Sequence, residues 1–206
     1  MFDVVVAGTG LIVFLPVFVL VAIAVKLTSS GPVFFKQQRM GRGFRPFSIY
    51  KFRSMVPGLP EQGDPITVGD DPRITPVGRF LRKTNLDELP QLINVLKGEM
   101  SLVGPRPEVP RYVEMFRGDY EEILRVRPGI TDIASIEFRD EAAILGAAAD
   151  PEREYVERIL PEKIRLAKQY IARQSPCFDC RLILMTVWRV AADRLTLSLS
   201  DRRRAE

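Results

Sequence analysis

Apolar and polar positions divide the chain into segments of different period. From Val4 to Val25 no charged residue occurs, and most positions are Val, Ile, Leu, Ala or Phe. A straight helix of that length would be about 30 Å long, enough to cross a hydrocarbon core. Pro16 falls inside the run, where it removes one backbone hydrogen bond and clashes with the preceding turn. Two topologies follow. A kinked helix spans and leaves its ends on opposite sides; a helix broken at Pro16 re-enters and returns both ends to one side. Asp3 before the run and Lys26 after it both seek water or headgroups. No positive segment precedes the run and no small-residue cleavage site closes it, which argues against a signal peptide.

Shorter periods follow. Gly31 to Arg39 reads as a turn and a strand, Gly41 and Gly43 as a turn, and Phe47 to Arg53 alternates like a second strand. A hairpin with Lys36, Arg39, Lys51 and Arg53 along one rim is expected. Residues 57–78 are rich in Pro, Gly and Asp, a long loop of the kind that is usually functional or disordered. Leu89, Leu92, Ile93 and Leu96 recur at helical spacing after Pro90, and Gly98 ends that helix. Ser101 to Gly104 reads as a short strand. An amphipathic helix is expected over 109–126, a turn over 127–132, a short strand over 135–139 and a helix over 151–173 that Pro161 breaks or restarts. A last amphipathic helix carries Trp188 and runs from Leu182 to about Leu195. The Arg202-Arg203-Arg204 tail is expected to be disordered and to touch anionic lipid.

A length of 206 residues with 46% hydrophobic and 27% charged positions supports a real core, so disorder is not the default. The net charge of +4 suits a phosphate-bearing partner or an anionic membrane without selecting between them. The chain has no histidine, so acid–base or nucleophilic chemistry falls to carboxylate, Lys, Tyr, Ser or Cys. The two cysteines form one C-x-x-C, Cys177 and Cys180, with no second ligand pair for zinc. They read as thiols of the core.

Candidate chemistry concentrates at Asp87-Glu88, directly before Leu89-Pro90. Pro90 suits the first turn of a helix. Two adjacent carboxylates at a helix start meet unpaired backbone N–H groups and the positive dipole end, although acidic residues are common there without any function. Arg106 lies between Pro105 and Pro107, each of which restricts the backbone. A guanidinium held that way suits planar, bidentate recognition of phosphate; a rigid turn with an exposed Arg is the plain alternative.

These residues lie in ordered runs. Asp71-Pro-Arg-Ile-Thr-Pro-Val-Gly-Arg-Phe-Leu-Arg and then Leu86-Asp-Glu-Leu-Pro-Gln-Leu-Ile-Asn-Val-Leu-Lys-Gly-Glu-Met-Ser-Leu-Val-Gly-Pro-Arg-Pro resemble the bacterial sugar transferases, the monotopic phosphoglycosyl transferases. Asp3, the apolar run with Pro16, the segment Tyr50 to Met55 and the turn Arg127 to Thr131 follow the family's order, so the resemblance covers roughly residues 3–190. It implies an α+β fold: a re-entrant membrane helix over 1–28 broken at Pro16, and a compact cytosolic catalytic domain over 29–195. That domain would have helices around a small sheet and amphipathic interfacial helices, with a basic tail over 196–206. The enzyme would sit at the cytoplasmic face of a bacterial inner membrane, among phospholipids. It would move a sugar-1-phosphate from a UDP-sugar to polyprenol (undecaprenyl) phosphate, releasing UMP by a ping-pong route with Mg²⁺, and so start exopolysaccharide or O-antigen assembly. By position, Asp87 is the nucleophile and a metal ligand, Glu88 its acidic partner, and Lys51, Arg106 and Arg139 bind substrate. After Gly129-Ile130-Thr131 many members continue Gly-Leu-Ala-Gln; this chain has Asp132-Ile133-Ala134-Ser135, which bears on the sugar. The resemblance leaves room for a homodimer, and the apolar N-terminal run and the acidic pair are poor footprints for a nucleic-acid binder. A non-enzymatic membrane-anchored module with the same fold is the competing reading, and it would be expected to have lost Asp87, Glu88 or Arg106.

Overall fold

The computed structural model describes residues 2–56, 71–138 and 141–188. Most of the loop expected over 57–78, Arg139, and the chain beyond 188 with its basic tail lie outside the described residues.

Two apolar helices, α1 (Phe2–Val13) and α2 (Leu15–Thr28), meet at a bend of 61°. The helical path breaks at Phe14, with φ −87° and ψ 2°, and Pro16 lies in the first turn of α2. Its ring crowds the carbonyl four residues back and offers it no N–H. Among the described residues no single helix is long and apolar enough to cross a membrane; the bent pair reaches that length and composition together. Both ends of the pair return to the same body. Asp3 Oδ2 accepts from Ser101 Oγ at 2.7 Å, and Arg53 Nη2 donates to Ser29 O at 2.7 Å. The outward positions stay apolar, with Ile12 77% and Leu27 82% exposed.

The hairpin forms as expected, from β1 (Phe34–Gly41) and β2 (Arg45–Phe52), in antiparallel register from Phe34 opposite Phe52 to Gly41 opposite Arg45. Phe18 of α2 packs edge-on against Phe52 at 5.1 Å and so seats the bent apolar pair on the sheet. The four basic residues do not share a rim. Arg39 pairs with Glu108, Lys51 with Glu88, Arg53 is buried beneath α2, and Lys36 lies over the Tyr50 ring. Alternation splits Lys36 from Arg39 and Lys51, and each cation is then drawn to a different acceptor.

Downstream come α3 (Pro76–Lys83), capped by Thr75 Oγ1 accepting from Gly78 N at 2.9 Å, and α4 (Gln91–Leu96). The apolar stripe of α4 is not its most buried face. Gln91, Asn94 and Val95 are buried, while Leu92 and Leu96 lie against Gly10 and Gly8 of α1. Asn94 is fully buried and ties three segments together. Its Oδ1 accepts from Tyr50 N at 3.1 Å, and its Nδ2 donates to Ser48 O at 2.8 Å and Glu99 Oε2 at 2.7 Å. Asn94→Ala strands those groups and should cost about 2–3 kcal/mol, read as a lowered thermal midpoint; an unchanged midpoint would mean that water replaces the amide.

The single small sheet expected is in fact two, because 127–132 is not only a turn. β3 (Ser101–Val103) pairs in parallel with β4 (Gly129–Thr131), separately from the hairpin. The helix expected over 109–126 is also two helices, α5 (Pro110–Met115) and α6 (Arg117–Ile123). The break falls at Phe116, next to the weak helix former Gly118. It lets Tyr112, Val113, Tyr120 and Ile123 all face the core. The strand expected over 135–139 is instead α7 (Ile133–Glu137), since Asp132 Oδ1 caps Ser135 N at 2.9 Å and starts a helix there.

α8 (Glu141–Ala147), α9 (Pro151–Glu154), a π-helical stretch over Tyr155–Ile159 and α10 (Leu160–Arg173) complete the main core. Pro161 restarts the helix, as expected: α10 begins at Leu160 with Pro161 in its first turn, directly after the π stretch, where Leu160 N donates to Tyr155 O. A further helix covers 176–188. There the cysteine expectation is corrected. Cys177 and Cys180 are free and exposed, on the same face as exposed Leu184, Val187 and Trp188. The helix turns Leu182 inward instead.

Candidate active site

The acidic pair sits on a tight turn. Asn85 takes a left-handed conformation, φ 54°, which Asn tolerates better than most residues. The chain then winds through a 3-10 turn, Leu86–Glu88, and through Leu89 and Pro90 into α4. Pro90 stands at the N-cap, so both carboxylates precede the helix, as its sequence position implies.

Glu88 is clamped by two cations from distant parts of the chain. Lys51 Nζ on β2 donates to Oε1 at 2.7 Å, while Arg106 donates through Nη2 to Oε1 at 2.5 Å and through Nη1 to Oε2 at 3.3 Å. Burial alone would push the Glu88 carboxyl up, but Arg106 and Lys51 hold it well below the usual carboxylate range. In return Glu88 holds the Arg106 guanidinium above its ordinary value. Arg106 also donates to Ser135 Oγ at 3.4 Å.

The β3–β4 ladder sets the position of Arg106. Gly104 N donates to Thr131 O, and Gly129 N to Pro105 O, each at 3.0 Å. The two glycine backbones touch: a Cβ on Gly129 would lie 2.1 Å from Gly104 N. Gly129→Ala must therefore force the two backbones apart, two residues before Arg106. A loss of about 2–3 kcal/mol in stability is expected from overpacking, together with weakened activity; a variant with the parent's melting temperature would show that the ladder can yield.

Asp87 is 7% exposed, in a turn that packs against β2 and α3. Burial pushes its carboxyl above the ordinary value; Lys51 opposes that, Glu88 adds to it, and Arg82 and Arg106 oppose it. The two neighbouring carboxylates thus differ: one is neutralised by direct ion pairs, the other is the more basic. A cavity of about 450 Å³ opens beside them. Glu88, Arg106, Glu108, Tyr155 and Lys163 are among its lining residues; Asp87 is not on the lining. Tyr155 Oη donates to Glu108 Oε2 at 2.5 Å, and Lys163 pairs with Glu141.

Asp87 and Glu88, Lys51 and Arg106 are therefore brought together from three separate stretches of sequence. Arg139 lies outside the described residues. Pro16 does its work at the helix bend, apart from the acidic turn. Sequence reasoning missed Arg82, whose charge acts on Asp87 and whose Nε donates to Ser54 Oγ at 3.0 Å, and Ser135 beside Arg106. Arg82 lies in the basic, apolar run Arg79 to Lys83, whose composition suits a membrane surface and gives no sign of an acidic partner. The Asp132-x-x-Ser135 cap spacing was the available signal for the second.

Among the described residues no group of three or more acidic or cysteine side chains could hold a metal unaided. With Glu88 shared between Lys51 and Arg106, Asp87 offers one carboxylate. That donor set fits an ion such as Mg²⁺ that takes its remaining ligands from substrate phosphates and water.

A bent apolar helix pair is thus set on a small α+β body in which Glu88 and Arg106 line a cavity, with Lys51 paired to Glu88 and Asp87 buried in the same turn. The bacterial sugar transferase profile matches residues 1–193, and the chain belongs to that family. A relative from Escherichia coli K12, a UDP-glucose:undecaprenyl-phosphate glucose-1-phosphate transferase, is 39% identical over 193 residues, 91% of this chain and 39% of the relative. A UDP-N-acetylgalactosamine-undecaprenyl-phosphate N-acetylgalactosaminephosphotransferase from Aeromonas hydrophila is 38% identical over 90% of this chain and 41% of its own length. The exopolysaccharide production protein ExoY of Sinorhizobium fredii is 38% identical over 69% of this chain and 70% of its own. The chain thus spans about two fifths of the length of the first two relatives.

Proposed function

We propose that this protein transfers a sugar-1-phosphate from a UDP-sugar to undecaprenyl phosphate, at the cytoplasmic face of a bacterial inner membrane. The observation that carries the reading is the unequal carboxylate pair: Glu88 clamped by Lys51 and Arg106, Asp87 buried and more basic beside it. A carboxylate is a competent covalent nucleophile, and the more basic of two neighbours is the better one. Asp87 Oδ attacks the sugar-bearing phosphorus, the bond from that phosphorus to the UMP oxygen breaks, and the electron pair leaves with UMP. A phosphosugar ester of Asp87 remains. An oxygen of undecaprenyl phosphate then attacks the same phosphorus and Asp87 departs as carboxylate, giving the lipid diphosphosugar. Arg106 and Lys51 stabilise the negative charge that develops on the transferred group, and Glu88 holds both cations in place. Mg²⁺ carried on the diphosphate would neutralise charge between Asp87 and the incoming phosphate.

The membrane reading rests on the exposed apolar surface of α1 and α2 and on the attachment of both their ends to one body. We take the pair as re-entrant. In a Cys177→Ser, Cys180→Ser background, needed because both native thiols are exposed, a Phe2→Cys variant should react with a membrane-impermeant maleimide in inside-out vesicles only. Labelling in right-side-out vesicles would mean a spanning helix.

The donor is open, since the relatives' names specify glucose in one case and N-acetylgalactosamine in another. UMP release should be measured over a panel of UDP-sugars with undecaprenyl phosphate and Mg²⁺ in detergent. Release with one or two donors is expected. Binding of UDP-sugars without any release would favour a non-catalytic module.

A further inference from the structure

Gln91 is 1% exposed, and neither its amide oxygen nor its amide nitrogen has a hydrogen-bond partner among the described residues. A buried amide left in that state is destabilising, because the loss of its water contacts is not repaid by a protein partner. A position that only had to be filled would hold Leu or Met without that cost. Leu89 and Pro90 have helical dihedrals, −51°/−36° and −61°/−15°, so the chain winds continuously from Leu86 to Leu96. Its bonds run three residues back, as Leu89 N to Leu86 O and Leu92 N to Leu89 O do, so residues three and four apart are neighbours on its surface. The buried positions Asp87, Gln91, Asn94 and Val95 form one such face. On one side of Gln91, Asn94 already has its amide engaged by Tyr50, Ser48 and Glu99. On the other side, one turn back, stands Asp87.

We propose that Gln91 is a positioning residue for Asp87: its amide N–H turns onto the Asp87 carboxylate when the donor diphosphate binds and holds it in line with the phosphorus. The inference rests on the transferase reading above. A glutamine suits the part because it donates without carrying charge. A further Lys or Arg there would add to the pull of Lys51, Arg82 and Arg106 on the Asp87 charge, and a carboxylate would repel both Asp87 and the diphosphate. Gln91 gives up no proton in the step. The new bond forms from Asp87 Oδ to phosphorus, the bond to the UMP oxygen breaks, and its electron pair leaves with UMP.

Gln91→Met tests this, because Met fills a similar volume with no amide. The thermal midpoint should equal or exceed that of the parent, since a desolvated, unpartnered amide is removed. The kcat for UMP release should fall about 10- to 100-fold, the effect of a slightly misplaced reacting group, with KM for the UDP-sugar unchanged. A purely structural Gln91 predicts the reverse: a lower midpoint with kcat retained. A lowered midpoint, or a kcat equal to the parent's, would overturn the proposal. A parent protein that releases no UMP from any donor would instead overturn the transferase reading on which it depends.

Discussion

Asp87→Asn is expected to abolish UMP release, by at least about 10³-fold in kcat and at saturating UDP-sugar, as removal of a covalent nucleophile does. The substitution preserves size and removes the attacking anion. Protein stability should be kept or slightly improved, because burial already opposes the charge on Asp87. UDP-sugar binding, followed by isothermal titration, should survive, since Lys51 and Arg106 remain paired with Glu88. Near-normal turnover in this variant would sink the nucleophile assignment. Loss of binding together with turnover would point instead to a role for Asp87 in holding substrate. Incubating the parent with a radiolabelled UDP-sugar in the absence of lipid acceptor should leave label on the protein, and Asp87→Asn should leave none.

Arg106 carries the second large effect. Arg106→Lys keeps the charge but loses the two-point contact with Glu88 and the bond to Ser135. An ammonium cannot reproduce a planar fork, so kcat/KM should fall about 100-fold, the scale of one lost transition-state donor. Activity equal to the parent would favour the plain alternative of a rigid turn. Arg106→Ala should also destabilise. A third of the Arg106 side chain is exposed, so the loss should be about 2 kcal/mol rather than the larger cost typical of a fully buried pair. That corresponds to a drop in melting temperature of about 4–8 °C for a domain of this size.

Local rules and tertiary contacts account for different parts of the molecule. The apolar run, its break near Pro16, the hairpin and the proline-fixed Arg106 follow from short-range causes: missing N–H groups, alternation and restricted φ. The two parallel strands were not legible as a pair. Ser101–Val103 and Gly129–Thr131 are each three residues long and meet only after two intervening helices. Nor was α7, since Ser135 to Phe138 alternates as a strand would, and only the Asp132 cap makes it helical. The cysteines illustrate a third failure. Apolar neighbours made Cys177 and Cys180 read as core, yet the helix that carries them has only one face to bury, and Leu182 claims it.

By itself the sequence determined the membership of this chain, the acidic pair, the arginine between prolines and the place where the apolar helix breaks, because each depends on residues that are neighbours along the chain. The tertiary structure alone decided that Glu88 and not Asp87 is the carboxylate held by Lys51 and Arg106. That outcome depends on which residue of one 3-10 turn is directed at Lys51 and Arg106 beside the cavity and which is buried away from its lining. No periodicity encodes it, because two adjacent residues of like charge are told apart only by the groups that long-range packing brings within hydrogen-bonding distance.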